Sequence, residues 1–330
     1  SLLEKTYEED KLLCVGIYDK DQAVRTDKIK AATLEGSQVK AIKIIFSDIN
    51  EHVGQVSFVI KVEDEEALQQ STLTLFGDEA RISTSTLENR LCEITEAYFD
   101  NGQLSGVLKT ILNQASPNFS GDTLPLPVTR ARYPDDQNYI NAMIETITAM
   151  DHSCLCIQGP PGAGKTSTAK RVITALVNVG KRIGILSNSH VVIMNLLERL
   201  PSLLPDAHLV KVGGYGAIKE FKEQFPEDEY PNLNYRSGMS FTKKAPYQQY
   251  DVIGATVYQF AKQIAYDDPV DYLFVDEASQ VALANLIVVT GAAKNIILMG
   301  DQMQLEQPIQ GSHPDPAGKS ALEFMLKGQS

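Results

Sequence analysis

The 330-residue sequence has a formal net charge of −12 and is 43% hydrophobic, which is enough apolar content for a sizeable core and leaves room for two domains. No uninterrupted apolar run approaches the roughly 20 residues of a membrane span, and SLLEKTYEED at the start has neither the basic head nor the apolar middle of a secretory signal. Four scattered cysteines, Cys14, Cys92, Cys154 and Cys156, exclude a disulfide framework and a C-x-x-C zinc pair, so a cytoplasmic protein without a membrane partner is expected.

In chain order, VKAIKIIF (residues 39–46), GQVSFVIKV (54–62) and STLTLF (71–76) are rich in β-branched and aromatic residues with partial alternation. They predict strands, and their close spacing suggests a small barrel or sandwich. From residue 87 to about 113, apolar residues recur at helical spacing: Leu91, Ile94, Ala97 and Tyr98, then Leu104, Val107, Leu108 and Leu112. The Asp100-Asn101-Gly102 interruption should bend or divide that helix. Residues 116–134 turn to Pro, Gly, Ser and Asn, and a domain boundary is expected there, separating an accessory domain (1–128) from a second domain (129–330).

Beyond it, CLCIQ, RIGILS, HLVKV, DVIGAT, DYLFVDE and NIILMGD are short apolar runs separated by helical or irregular segments. This predicts a parallel α/β sheet with helices on both faces, which binds ligands at the C-terminal ends of its strands. Residues 215–250 show little periodicity and read as a surface insertion or mobile loop.

The segment Gly159-Pro160-Pro161-Gly162-Ala163-Gly164-Lys165-Thr166 matches G-x-x-x-x-G-K-[ST] in full. Gly162 and Gly164 let the backbone wrap closely enough for its N–H groups to face phosphate oxygens, and Ser167 opens a helical run whose positive end is aimed at them. Lys165 should reach the β and γ phosphates of a nucleotide, and Thr166 should offer a hydroxyl to Mg²⁺. In FVDEASQ, Asp276 is the expected second Mg²⁺ partner and Glu277 the group that orients and deprotonates an attacking water. A water-activating carboxylate points to hydrolysis. In the GDQMQ segment, Gln304 places a neutral amide where it can bond the γ-phosphate or that water.

Together these segments resemble superfamily 1 helicases, closest to the branch of the RNA-decay and immunoglobulin-mu-binding helicases. GPPGAGKT looks like motif I, DEASQ like motif II and GDQMQLEQP like motif III. The resemblance extends to Tyr133-Pro134-Asp135-Asp136-Gln137, similar to an adenine-reading Q motif in which Gln137 pairs with the base. It also covers LSNSHVVIMNLLERL (186–200), similar to motif Ia, and IGATVYQ (253–259), similar to the next nucleic-acid-contacting motif.

The resemblance implies a RecA-like P-loop NTPase fold preceded by a small β-barrel-like domain on a helical stalk. It also implies ATP and Mg²⁺ as cofactors, and a single strand of DNA or RNA as partner, with phosphates contacted by Ser187, Asn188, His190, Thr256 and Tyr258. The acidity opposes a nucleic-acid partner, but residues 1–150 hold 24 Asp+Glu against 14 Lys+Arg and carry nearly all of it. Members of the family have a second RecA-like domain with arginines that complete the ATP site. It does not fit after motif III, so the sequence is expected to be a fragment holding the first motor half, weak in hydrolysis alone. A P-loop ATPase remodelling protein partners, or a nucleotide-binding module without complete catalysis, stays open as an alternative.

Overall fold

The computed structural model describes the backbone of residues 2–8, 11–17, 31–34, 42–50, 55–61 and 75–77, and residues 84–102, 104–121, 125–213, 215–226, 228–238, 247–301, 303 and 317–326. They divide into two compact units, Ser1–Thr84 and Ser85–Ser330.

In the first unit, β1 (Leu2–Glu8), β2 (Lys11–Ile17), β3 (Ala31–Leu34), β4 (Ile42–Asn50), β5 (Gln55–Lys61) and β6 (Leu75–Gly77) form one antiparallel sheet in the order β1-β2-β5-β4-β3-β6. The register of β4 on β5 slips between Ile44 and Phe46, an irregularity of the kind that increases local twist. Among the described residues the sheet runs from β1 to β6 with no pairing between those two strands.

The second unit is built on seven strands: β7 (Cys154–Gln158), β8 (Ile183–Leu186), β9 (Leu209–Gly213), β10 (Leu233–Ser237), β11 (Val252–Ala255), β12 (Val270–Val275) and β13 (Ala293–Gly300). They lie in the order β10-β9-β11-β8-β12-β13-β7, every pair parallel. Period-2 alternation divides each central strand between two cores. Leu273, Val275, Ile296 and Leu298 face one cluster, and Tyr272, Phe274, Ile297 and Met299 face the other. Both sheet faces are therefore covered, as expected for a RecA-like α/β fold.

Helices α1 (Ser85–Asn101), α2 (Gly106–Leu112), α3 (Asp136–Thr148), α4 (Lys165–Asn178) and α5 (His190–Leu197) supply the apolar stripes. The carboxylate of Asp135 caps α3 by accepting from the Asn138 N–H at 2.8 Å, and Ile140, Met143 and Ile147 form its buried face. In α4 the buried stripe is Ala169, Val172, Ile173 and Leu176. No helix among the described residues is long and apolar enough to cross a membrane.

Two expectations are corrected. The division falls at 84/85, not 128/129, because α1 and α2 pack on the sheet: Leu87, Val107 and Ile111 join its core. The Arg90 guanidinium of α1 donates to the Ala261 carbonyl and the Gln263 side chain, both at 3.0 Å, and stacks 3.9 Å over the Tyr266 ring. The Pro- and Gly-rich stretch where the boundary is expected is likewise tied down, the Asn118 N–H bonding Ser153 Oγ at 2.7 Å and the Ser120 N–H bonding the Ala149 carbonyl at 2.7 Å. The second correction concerns residues 215–250, which hold a helix (Tyr215–Gln224) and the edge strand β10. β10 alternates buried Leu233 and Tyr235 with Asn234 and Arg236, but at five residues it is too short to stand out from the irregular sequence around it.

Candidate active site

All the tips that matter lie at the C-terminal edge of the parallel sheet. The phosphate loop leaves β7 and enters α4, and it is pinned to the neighbouring strand by the Gly159 N–H donating to the Gly300 carbonyl at 3.2 Å. Gly162 and Gly164 have φ of 75° and 81°. No atom lies within 4 Å of a Cβ built at either position, so glycine is required there by the left-handed backbone and not by crowding. The Lys165 ammonium folds back on its own loop, donating to the carbonyl of Gly159 and, at 3.0 Å, to that of Pro160.

Asp276 follows β12, and its N–H bonds the Leu186 carbonyl of β8 at 2.9 Å. Its side chain is 6% exposed. The Glu277 N–H donates to Oδ1 at 3.0 Å. Burial raises the Asp276 carboxyl above the usual carboxylate range, against the lowering effect of that N–H; the Glu277 charge raises it further and Lys165 lowers it. Such a carboxylate, without an ion-pair partner among the described residues, suits a hard cation. With the Thr166 hydroxyl on the same cleft, the oxygen donors fit Mg²⁺, which takes one or two carboxylates plus substrate phosphates.

Glu277 itself has φ 53°, a region that non-glycine residues rarely occupy and that costs of order 1–3 kcal/mol. The turn that follows, Ala278–Gln280, begins from this conformation. Lys165, Thr166, Asp276 and Glu277 line one cleft of ≈ 380 Å³ together with Pro161, Gly162, Gly164 and Gly300. Val192 and Asn195 of α5 complete the wall. The sequence reading passed over these two, although their three-residue spacing puts them on one helical face.

Other sequence-predicted residues are placed as follows. Ser167 is exposed at the start of α4. Gln137 is exposed, its amide accepting from Arg171 at 2.8 Å and donating to Asn141 at 2.9 Å. It sits beside Asp136, which Arg130 and Arg171 hold below the usual carboxylate range. The Asp301 carboxylate closes a turn by accepting from the Met303 N–H at 2.9 Å. Gln304 lies outside the described residues.

The tip of β8 differs from expectation. Ser187 is 1% exposed, and the Ser189 N–H approaches its Oγ at 3.4 Å, so burial removes this hydroxyl from direct contact with a strand. Asn188 instead donates its amide to the Gln280 carbonyl at 2.6 Å, joining this loop to DEASQ. His190 turns its Nδ1 to the Lys211 ammonium at 2.8 Å. Thr256, at the tip of β11, precedes the helical turn Val257–Phe260 without capping it through its side chain. Tyr258 is half-buried against the core.

The AAA domain family model matches residues 143–309, which is half of the chain. Among curated proteins, the DNA replication ATP-dependent helicase/nuclease JHS1 of Arabidopsis thaliana is 25% identical over 255 residues, covering 76% of this chain and 18% of that protein. The DNA replication ATP-dependent helicase/nuclease dna2 of Schizosaccharomyces pombe is 27% identical over 178 residues, covering 54% and 12%. The chain thus spans less than a fifth of the length of these two relatives. A Sulfolobus solfataricus SWI2/SNF2 ATPase core solved with dsDNA aligns at a TM-score of 0.36 and 15% identity, over 62% of this chain and 37% of that one, too low to carry weight. On the family match over residues 143–309, with the phosphate-loop residues gathered at the cleft, the chain belongs to the AAA domain family.

Proposed function

We propose that the chain is the first motor half of an ATP-dependent helicase or translocase, which binds and hydrolyses ATP while contacting a single nucleic-acid strand at the adjoining strand tips. The observation that carries this reading is the convergence of Lys165, Thr166, Asp276 and Glu277 on one cleft. Thr166 and Asp276 would hold magnesium, which when bound neutralises charge on the phosphoryl oxygens. Lys165 exchanges the Gly159 and Pro160 carbonyls for the terminal phosphates. Glu277 accepts the proton of the attacking water, and Gln304 is the proposed sensor of the γ-phosphate.

Motion requires the strand contacts to feel the nucleotide, and the Asn188–Gln280 bond supplies a direct link between the two loops. Thr256 and Tyr258 are proposed to meet the strand at the tip of β11. The helicase/nuclease names of the relatives, both in DNA replication, favour DNA over RNA. A second RecA-like lobe is part of the proposal, and the arginine that such a partner contributes accounts for about 10³–10⁵ in rate in related enzymes. This chain should therefore bind ATP far better than it hydrolyses it.

The test is ATP turnover by the polypeptide that includes the second lobe, with and without single-stranded oligonucleotide. Stimulation by the strand, abolished by Lys165→Ala, is expected. Turnover indifferent to any nucleic acid would favour an ATPase that acts on protein partners.

A further inference from the structure

Lys211, on β9, is 0% exposed. Its ammonium contacts His190 Nδ1 at 2.8 Å and the Val212 carbonyl at 2.8 Å, and lies 5.9 Å from the centre of the Phe221 ring. No carboxylate forms an ion pair with it among the described residues. Burying a cation with only neutral partners is unfavourable, and an apolar side chain of similar length would fill the space at lower cost. What the amine does that methylene groups cannot is donate to the imidazole.

His190 is the first residue of α5, half-buried, with its ring against the tip of β9. Gly213 makes room for it: a Cβ there would lie 3.2 Å from the ring Cε1 and 3.6 Å from both ring nitrogens. Burial, and then the Lys211 charge, push His190 down to about 4, so the ring is neutral near pH 7 and carries one N–H. Burial also lowers the Lys211 ammonium to about 7; in its protonated form it can only donate, which makes Nδ1 the acceptor and leaves the ring proton on Nε2. β11 lies between β8 and β9; His190 and Thr256 follow the tips of β8 and β11, while Lys211 sits in the middle of β9 and reaches its tip through its side chain, all on the side of β12 away from the phosphate loop.

We propose that Lys211 is a positioning residue for nucleic-acid binding: by donating to Nδ1 it holds His190 in the Nε2–H tautomer, and that N–H donates to a phosphate oxygen of a single strand crossing the tips of β8, β11 and β9. The inference rests on the strand-binding part of the function proposed above. It differs from an ordinary lysine–phosphate contact, because a neutral imidazole donor displaces no counterion.

The 330-residue chain and its Lys211→Met, Lys211→Arg, His190→Ala and Lys211→Met/His190→Ala variants are titrated against a fluorescent oligothymidylate over a range of salt. Side-chain ¹⁵N spectra of the histidines report the tautomer. Each single substitution to Met or Ala should weaken binding by about 3–10-fold, the value of one hydrogen bond, and the double variant no further. Lys211→Arg should retain most of the affinity. ATP affinity should stay unchanged throughout, which also checks that the variants fold, and Lys211→Met should shift the His190 ¹⁵N signals away from the Nε2–H pattern.

Additive losses in the double variant would overturn the proposal. So would a salt slope lowered by about 0.7 in Lys211→Met, the signature of a lysine neutralising a phosphate itself. An Nδ1–H tautomer in the unsubstituted protein contradicts it without reference to any ligand. If the unsubstituted chain binds no strand, the strand-binding reading fails and the proposal with it; if it binds and Lys211→Met matches it, only the proposal fails.

Discussion

Asp276 is placed against its own solvation. Buried at the end of β12, with one backbone N–H on Oδ1 and the Glu277 charge beside it, its carboxyl is raised above its ordinary 3.8. The folded state therefore holds a proton there more readily than the unfolded chain does, and keeping the group ionised at neutral pH costs stability. Asp276→Asn, which can still accept from the Glu277 N–H, should stabilise the magnesium-free protein at pH 7 by on the order of 1 kcal/mol. That gain should fade as the pH falls through the raised pKa, while magnesium-dependent turnover is lost. Glu277→Gln should leave ATP binding intact and slow hydrolysis by about 10²–10⁴. Thermal melts across pH with turnover assays check both; an Asp276→Asn variant less stable than its parent at pH 7 would contradict this view of the carboxylate. Both acids were legible in the sequence because motif spacing names them. The left-handed φ of Glu277 and the Lys211–His190 contact were not, since one is a backbone property and the other joins residues far apart in sequence.

Helix α5 ties the cleft to the strand tips: Val192 and Asn195 line the cleft, His190 opens the helix, and its other face packs on β11. Gly254 is what allows that approach, because a Cβ there would lie 2.5 Å from Leu197 Cδ1 and 2.8 Å from Ile193 Cγ2. Backbone on one side and helix on the other leave little room to relax, so Gly254→Ala should cost about 1–3 kcal/mol as an overpacked core. By lifting α5 it should also weaken strand binding more than ATP binding. A variant with the parent's melting temperature and strand affinity would show that α5 does not need this contact. The strands flanking the motifs were legible as apolar runs. β10 was not, because it is a five-residue edge strand whose alternation of Leu233 and Tyr235 with Asn234 and Arg236 is too short to stand out. The helices α1 and α2 were legible as helices, but not as part of the sheet-bearing unit, since the Pro- and Gly-rich stretch after them looks like a linker until its hydrogen bonds to residues 149–153 are seen.

At the scale of the whole molecule, the chain pairs a small antiparallel unit with a parallel sheet whose strand tips form a continuous row. Phosphate loop, Asp276 carboxylate and DEASQ turn occupy one part of that row, and the proposed strand contacts occupy the next. The net charge of −12 does not conflict with the proposed strand contact, because the acidity is concentrated in residues 1–150 and the proposed contacts are the hydroxyls of Thr256 and Tyr258 and the His190 imidazole. Composition speaks for the average surface, whereas binding is set by local groups. The most direct measurement is a crystal structure of the chain with a nonhydrolysable ATP analogue and magnesium. The account predicts Lys165 Nζ moved from the Gly159 and Pro160 carbonyls onto the terminal phosphates, and the metal held between Thr166 Oγ1 and the Asp276 carboxylate. A nucleotide bound elsewhere, or a metal that leaves Asp276 untouched, would contradict it.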